Sequence, residues 1–257
     1  MKVVILCGGY GTRIRDVSED IPKPMIPIGP HPILWHIMKY YSYFSYKDFV
    51  LCLGYKKQAI KDFFINYEAH TKDFTISLGK KSPIEFHTSH DESDWSVTLA
   101  DTGLDSMTGE RISQIKKYVG DEDFMLTYGD GVGDIDISKL LDFHRSHGKV
   151  LTLSGVRPPG RFGEIVTKSG LVKEFNEKPQ TTRGRISGGY FVASPRIFDY
   201  LNGDNLVFEQ EPMHKLVEDG ELMVYEHNGF WQPMDTSREY NLLNDLYNKG
   251  KAPWVKW

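Results

Sequence analysis

Two periods of apolar residues alternate along the chain. Lys2 to Cys7 is a continuous, largely β-branched run stopped by Gly8 and Gly9, which predicts a strand buried on both faces. Ile33, Leu34, Ile37, Met38 and Tyr41 then recur at helical spacing. Phe49 to Leu53 is a second buried run. Ile60, Phe63, Phe64 and Tyr67 follow the i, i+3, i+4, i+7 stripe of one amphipathic helix. Phe124 to Tyr128 predicts a strand that ends at Gly129-Asp130-Gly131. A helix is predicted from Ser138 to His147, with Leu140, Leu141 and His144 on one face, and a strand from Val150 to Val156. Beyond it, Gly163 to Thr167, Leu171 to Phe175 and Ser187 to Ala193 read as strands with short connections. Helices are predicted around Phe208 to Asp219 and Ser237 to Lys249. Thr88 to Ser96, dense in Asp, Glu, Ser and His, reads as a solvated loop.

Alternating strands and helices predict a mostly parallel, Rossmann-like central sheet with helices on both faces. The second half adds a smaller β-rich, partly antiparallel portion. No linker, internal repeat or low-complexity stretch divides the 257 residues, so a single domain is expected.

Composition narrows the class of protein. With 40% hydrophobic and 26% charged residues the chain reads as a soluble globular protein. No apolar run approaches the roughly 20 residues that cross a bilayer, and the start lacks the pattern of a signal peptide. A cytoplasmic protein without a membrane partner is expected. Cys7 and Cys52 each lie in an apolar run and read as buried, reduced thiols. The net charge of -4 argues against a nucleic-acid partner, which calls for a basic face. Polyphosphate ligands would have to find local cations.

Such cations stand close to the first strand. The loop Leu6-Cys7-Gly8-Gly9-Tyr10-Gly11-Thr12-Arg13 follows it directly. Its glycines let the backbone turn and approach a ligand, and its N–H groups form an anion-binding concavity. Thr12 adds a hydroxyl, and Arg13 a fork of donors suited to phosphate. A dinucleotide-binding fingerprint needs a third glycine where this chain has Ile14, and no Walker-type P-loop occurs. A tight turn with no ligand is the plainer reading of such a loop. Ten residues on, prolines fix the backbone on both sides of one lysine in Pro22-Lys23-Pro24, which suits the aiming of a compact positive charge, although by itself the motif reads more simply as a rigid solvated loop. Tyr128-Gly129-Asp130-Gly131 places a carboxylate at the carboxyl end of a strand, where ligands of open parallel sheets sit and where Mg²⁺ finds the oxygen donors it prefers. Asp235 stands just ahead of the last helix, a position that also suits a helix cap.

Gly9-x-Gly11-Thr12-Arg13 followed by Pro22-Lys23-Pro24 resembles the signature of the nucleotidyltransferases that make NDP-sugars. Asp101-Thr102-Gly103, Ser106-Met107-Thr108-Gly109 with Arg111, Pro32-Ile33-Leu34-Trp35-His36, Trp231 to Thr236 and Lys249 to Trp254 resemble the glucose-1-phosphate cytidylyltransferases among them. The resemblance covers essentially the whole chain. It implies transfer of a nucleotidyl group from CTP to glucose 1-phosphate, with Mg²⁺ held by Asp130 and Asp235. It implies a nucleotide site of Leu6, Cys7, Gly8, Gly9, Tyr10, Gly11, Thr12, Arg13, Lys23, Ser106, Arg111 and Gly129, in a nucleotide-binding part of about residues 1–135. It implies that Arg13, Lys23, Asp130 and Asp235 carry catalysis. It also implies a sugar phosphate site of Gly163, Glu177, Lys178, Gly188 and Gly189 in the remainder, and a homo-oligomer. Ser187 departs from the family, which commonly carries Asn there. The readings left open are UTP or dTTP as donor, a different phosphorylated acceptor, a nicotinamide-dependent dehydrogenase, and a non-catalytic sugar-nucleotide sensor.

Overall fold

Alternate residues of the first strand, β1 (Lys2–Cys7), enter two separate cores. Val3, Ile5 and Cys7 belong to one apolar cluster, and Val4 and Leu6 to the other. A strand apolar on both faces needs helices on both faces, and the fold supplies them. The computed structural model describes residues 1–11, 14, 20–79, 84–158 and 184–257, together with the backbone of Glu164–Lys168 and Leu171–Asn176. Thr12, Arg13, Gly163, Glu177 and Lys178 lie outside the described residues.

The central sheet has seven strands: β1, β2 (Asp48–Leu53), β3 (Ser96–Asp101), β4 (Phe124–Tyr128), β5 (Leu151–Val156), β6 (Ile186–Ala193) and β7 (Leu222–His227). Their spatial order is β7-β5-β6-β4-β1-β2-β3. Only β6 runs antiparallel to its neighbours; every other pairing is parallel. The chain steps outward from β1 to β2 and β3, then returns to place β4 on the other side of β1. The sheet therefore has its topological switch point between β1 and β4, where ligands of open α/β sheets bind. A small antiparallel pair, Glu164–Lys168 with Leu171–Asn176, stands apart from the sheet. The expected α/β class, with a mostly parallel sheet and a partly antiparallel portion, is the observed one.

On one face pack α1 (Ile33–Tyr43), α4 (Ile137–His147) and α6 (Ser237–Asn248), through residues such as Ile37, Leu140 and Leu243. On the other pack α3 (Thr108–Gln114) and α5 (Glu211–Glu218), through Ile112 and Leu216. The helix boundaries have local causes. Asp136 caps α4 by accepting from Lys139 N at 3.0 Å, and Gly148 ends it with a left-handed φ of 63°.

Two expectations are corrected. The stripe Ile60 to Tyr67 is not one helix: α2 (Lys57–Ile65) stops at Asn66, and a separate turn, Tyr67–Thr71, follows. Within α2 only Ile60 is buried, so core packing does not hold the stripe together. The segment read as a solvated loop contains Glu92, which is buried and receives the Lys39 ammonium at 2.5 Å. Cys7 and Cys52 are buried and free, and burial pushes the Cys52 thiol up to about 12.

Burial leaves two histidines hard to protonate. His36 sits under Trp254 and Tyr247, with Nε2 2.8 Å from Ile28 O, and burial lowers its pKa to about 4. His144 shares the Thr152 hydroxyl with His147, and burial lowers it to about 4 as well. Both stay neutral in the fold while the unfolded chain takes up protons near the ordinary value of 6.5. Their contribution is therefore complete above about pH 6.5 and falls away toward pH 4, by about 3 kcal/mol for each histidine. Urea unfolding at pH 7 and pH 4.5 should show this loss, and His144→Gln should show a shallower one. Equal pH dependence in the two proteins would contradict the assignment.

Candidate active site

The carboxyl ends of β1 and β4 and the loop that follows β3 open onto one cavity of about 540 Å³. The loop after β1 forms its floor. Gly8 has no room for a side chain, because a Cβ there would lie 2.3 Å from Cζ of Arg111. Gly11 takes a left-handed φ of 62°, which a side chain would strain. Ile14, where a dinucleotide fingerprint needs glycine, is buried in the core instead.

Lys23 opens a single 3-10 turn, Lys23–Met25, between Pro22 and buried Pro24. The turn is held by Met25 N donating to Pro22 O and Ile26 N to Lys23 O. The aimed ammonium donates to Asp130 Oδ2 at 2.6 Å and to Asp235 Oδ1 at 2.5 Å. The two carboxylates thus converge although 105 positions separate them in the sequence. A short ladder makes them meet: Trp231–Pro233 pairs antiparallel with Gly131–Gly133, and Met234 N donates to Asp130 O at 2.8 Å. Asp235 is not the cap of α6. Thr236 fills that role in a capping box with Glu239, whose Oε2 also accepts from Asp235 N at 2.7 Å. Burial pulls the Lys23 pKa down, but Asp130 and Asp235 outweigh it, so the ammonium is held above its ordinary value. Gly129 permits the close approach of β4 to β1: a Cβ there would sit 3.0 Å from Leu6 O and 3.2 Å from Cys7 Sγ.

A profile of the nucleotidyl transferase family matches residues 2–241. The chain belongs to this family. The glucose-1-phosphate cytidylyltransferase of Salmonella typhimurium is 49% identical over the full length of both chains. A probable glucose-1-phosphate cytidylyltransferase of Bacillus subtilis is 44% identical, again over both full lengths. Among solved structures, HddC from Yersinia pseudotuberculosis complexed with GMP-PN shares the fold with a TM-score of 0.71 at 24% identity, covering 96% of this chain and 99% of the other.

In this nucleotidyl transferase, Leu6, Cys7, Gly8, Gly9, Tyr10, Gly11, Lys23, Ser106, Arg111, Gly129, Asp130 and Asp235, singled out from sequence, all line the one cavity. Gly188 and Gly189 border a small adjoining pocket that Asp130 also lines. Gly188 O accepts from Trp231 Nε1 at 2.7 Å, which ties this wall to the strand leading to Asp235. Leu104, Asp105 and Tyr128 also reach the cavity. Nothing in the sequence marks Leu104 or Asp105, since loop residues without periodicity or a motif role carry no signal.

Arg111 is buried in the cavity wall, and its guanidinium is spent on the scaffold. Nη1 donates to Leu53 O, Gly103 O and the Thr102 hydroxyl, and Nη2 to Gly8 O and Leu104 O, at 2.7 to 3.3 Å. It therefore joins the loops after β1, β2 and β3. Arg111→Met strands several of these acceptors and should cost about 3 kcal/mol of stability. It should also raise the KM for the nucleotide more than that for the acceptor. Thermal unfolding with two-substrate kinetics checks both; equal rises in the two KM values would contradict the placement.

Proposed function

We infer that the chain is a glucose-1-phosphate cytidylyltransferase, joining CTP and α-glucose 1-phosphate into CDP-glucose with release of pyrophosphate. The observation that carries the reading is the meeting of Lys23 with Asp130 and Asp235 on the floor of the glycine-loop cavity. Full-length identity of 49% to a named cytidylyltransferase supports the choice of substrates.

The acceptor phosphate is already a nucleophile, so no side-chain nucleophile is needed. One of its oxygens attacks the α-phosphorus of CTP, and the bond from that phosphorus to the bridging oxygen of the leaving pyrophosphate breaks. Positioning and charge stabilisation then supply the catalysis. Lys23 holds the triphosphate and neutralises charge on the departing pyrophosphate, and Arg13 shares that task. Lys178, with Glu177, Gly163, Gly188 and Gly189, orients the sugar phosphate. Backbone groups of the loop from Leu6 to Gly11, with Thr12, Ser106 and Gly129, hold the nucleotide.

The family generally uses a divalent metal. The site suits Mg²⁺, because a cationic group already lies between two carboxylates and Mg²⁺ commonly takes one or two carboxylates plus substrate phosphates. Asp130 and Asp235 would hold it, and it would neutralise charge on the phosphate oxygens. No helix among the described residues is long and apolar enough to cross a membrane.

The test pairs CTP, UTP, dTTP, ATP and GTP with α-glucose 1-phosphate in Mg²⁺ and follows pyrophosphate. Release with CTP, dependent on the acceptor, is expected. Release with another triphosphate alone would overturn the choice of nucleotide.

A further inference from the structure

The ends of the 540 Å³ cavity differ in chemistry. At one end Gly11 lies against Lys23, whose ammonium joins Asp130 and Asp235. At the other, Gly8 lies against Arg111, which holds the carbonyls of Gly103 and Leu104. The next residue of that loop is Asp105. The Tyr10 hydroxyl reaches across from the glycine loop and donates to Asp105 Oδ1 at 2.7 Å, while its ring packs on Tyr55 with centroids 4.9 Å apart. The Asp105 side chain is exposed. Tyr10, Leu104 and Met107, all large, apolar and exposed, stand with this carboxylate along the cavity lining.

With a divalent cation on Asp130 and Asp235, the end that holds the Lys23 ammonium would carry a net positive charge, which suits the triphosphate. The Lys23 end takes it, which sends the base to the Asp105 end. Exposed apolar groups around one acceptor complement a flat heteroaromatic ring bearing an N–H donor. The donors that CTP offers are its ribose hydroxyls and the exocyclic N4 amine, and at this end the donor is the amine. Carboxylates accept from cytosine N4 in nucleic-acid recognition for the same geometric reason.

We propose that Asp105 selects the base by accepting a hydrogen bond from cytosine N4, with Tyr10 as the positioning residue that fixes its carboxylate. This rests on the reading of the chain as a CTP-using enzyme. A uracil ring presents an acceptor, O4, at the same place, and two acceptors facing each other without a proton reject it. An asparagine at 105 can turn its amide and donate to O4.

The experiment measures kcat/KM for CTP, UTP and dCTP with wild type, Asp105→Asn and Tyr10→Phe, each checked for native circular dichroism. In Asp105→Asn the CTP:UTP ratio should fall by about 10-fold or more, in line with the discrimination that one base-edge contact supplies. In Tyr10→Phe it should fall by a smaller factor, and CTP:dCTP should hold in both. Tyr10→Phe removes one exposed hydroxyl and so tests the proposal even if the first variant folds poorly. A wild-type CTP:UTP ratio in both variants would overturn the proposal. A change confined to CTP:dCTP would overturn it in favour of a ribose contact. Wild-type enzyme inactive with CTP would overturn the parent reading and this one together, which separates the two failures.

Discussion

Asp235→Ala should lower turnover by about 10²-fold or more while leaving the fold intact, in the range lost with one preorganised electrostatic partner. The side chain is not part of the core: its described partner is Lys23, and the helix behind it is capped by Thr236 and Glu239. The substitution removes one of two carboxylates suited to a divalent cation and one of two anions that fix the Lys23 ammonium. The loss should appear in kcat, with a raised requirement for Mg²⁺, and Asp130→Ala should behave alike. Steady-state rates across a Mg²⁺ titration check this. Near-normal kcat in either variant would remove that residue from the site.

Lys23→Ala should also lower turnover by about 10²-fold or more, because a compact positive charge aimed by two prolines is lost. Its effect on the metal should be opposite in sign. In the free protein the ammonium sits between Asp130 and Asp235, so it competes for the same carboxylate oxygens that would take the cation. Without it the carboxylates face each other uncompensated. The concentration of Mg²⁺ needed for half-maximal rate should therefore fall as kcat falls. A raised Mg²⁺ requirement in Lys23→Ala would show that the lysine and the metal do not share those oxygens.

The central strands and the glycine loop were legible in sequence because burial on both faces demands continuous apolar runs, as in Lys2–Cys7 and Phe124–Tyr128. The two strands of the central sheet that no sequence pattern marks, Ser96–Asp101 and Leu222–His227, are its two edges. An edge strand is only partly covered, so Ser, Thr and Glu are tolerated and the pattern fades. The helix Thr108–Gln114 was equally hidden, since two turns do not establish a period.

Within the site, Lys23 was legible through its flanking prolines only in combination with the glycine loop ten residues earlier. Asp130 was legible as a carboxylate at the carboxyl end of a strand, whereas Asp235, which also suits a helix cap, stood out through the family resemblance. Their meeting depends on a ladder of three residues a side, too short to carry a periodic signal. Asp105 was not legible at all. Its distinction is a bond to a tyrosine 95 positions away, and only the fold creates it.

The most direct test of the central reading is to identify the product. Wild-type protein, CTP, α-glucose 1-phosphate and Mg²⁺ are incubated, and nucleotide products and pyrophosphate are quantified together by mass spectrometry and enzymatic assay. CDP-glucose and pyrophosphate in equal amounts, both absent without the sugar phosphate, is the predicted result. Pyrophosphate without CDP-glucose, or neither product, would contradict it.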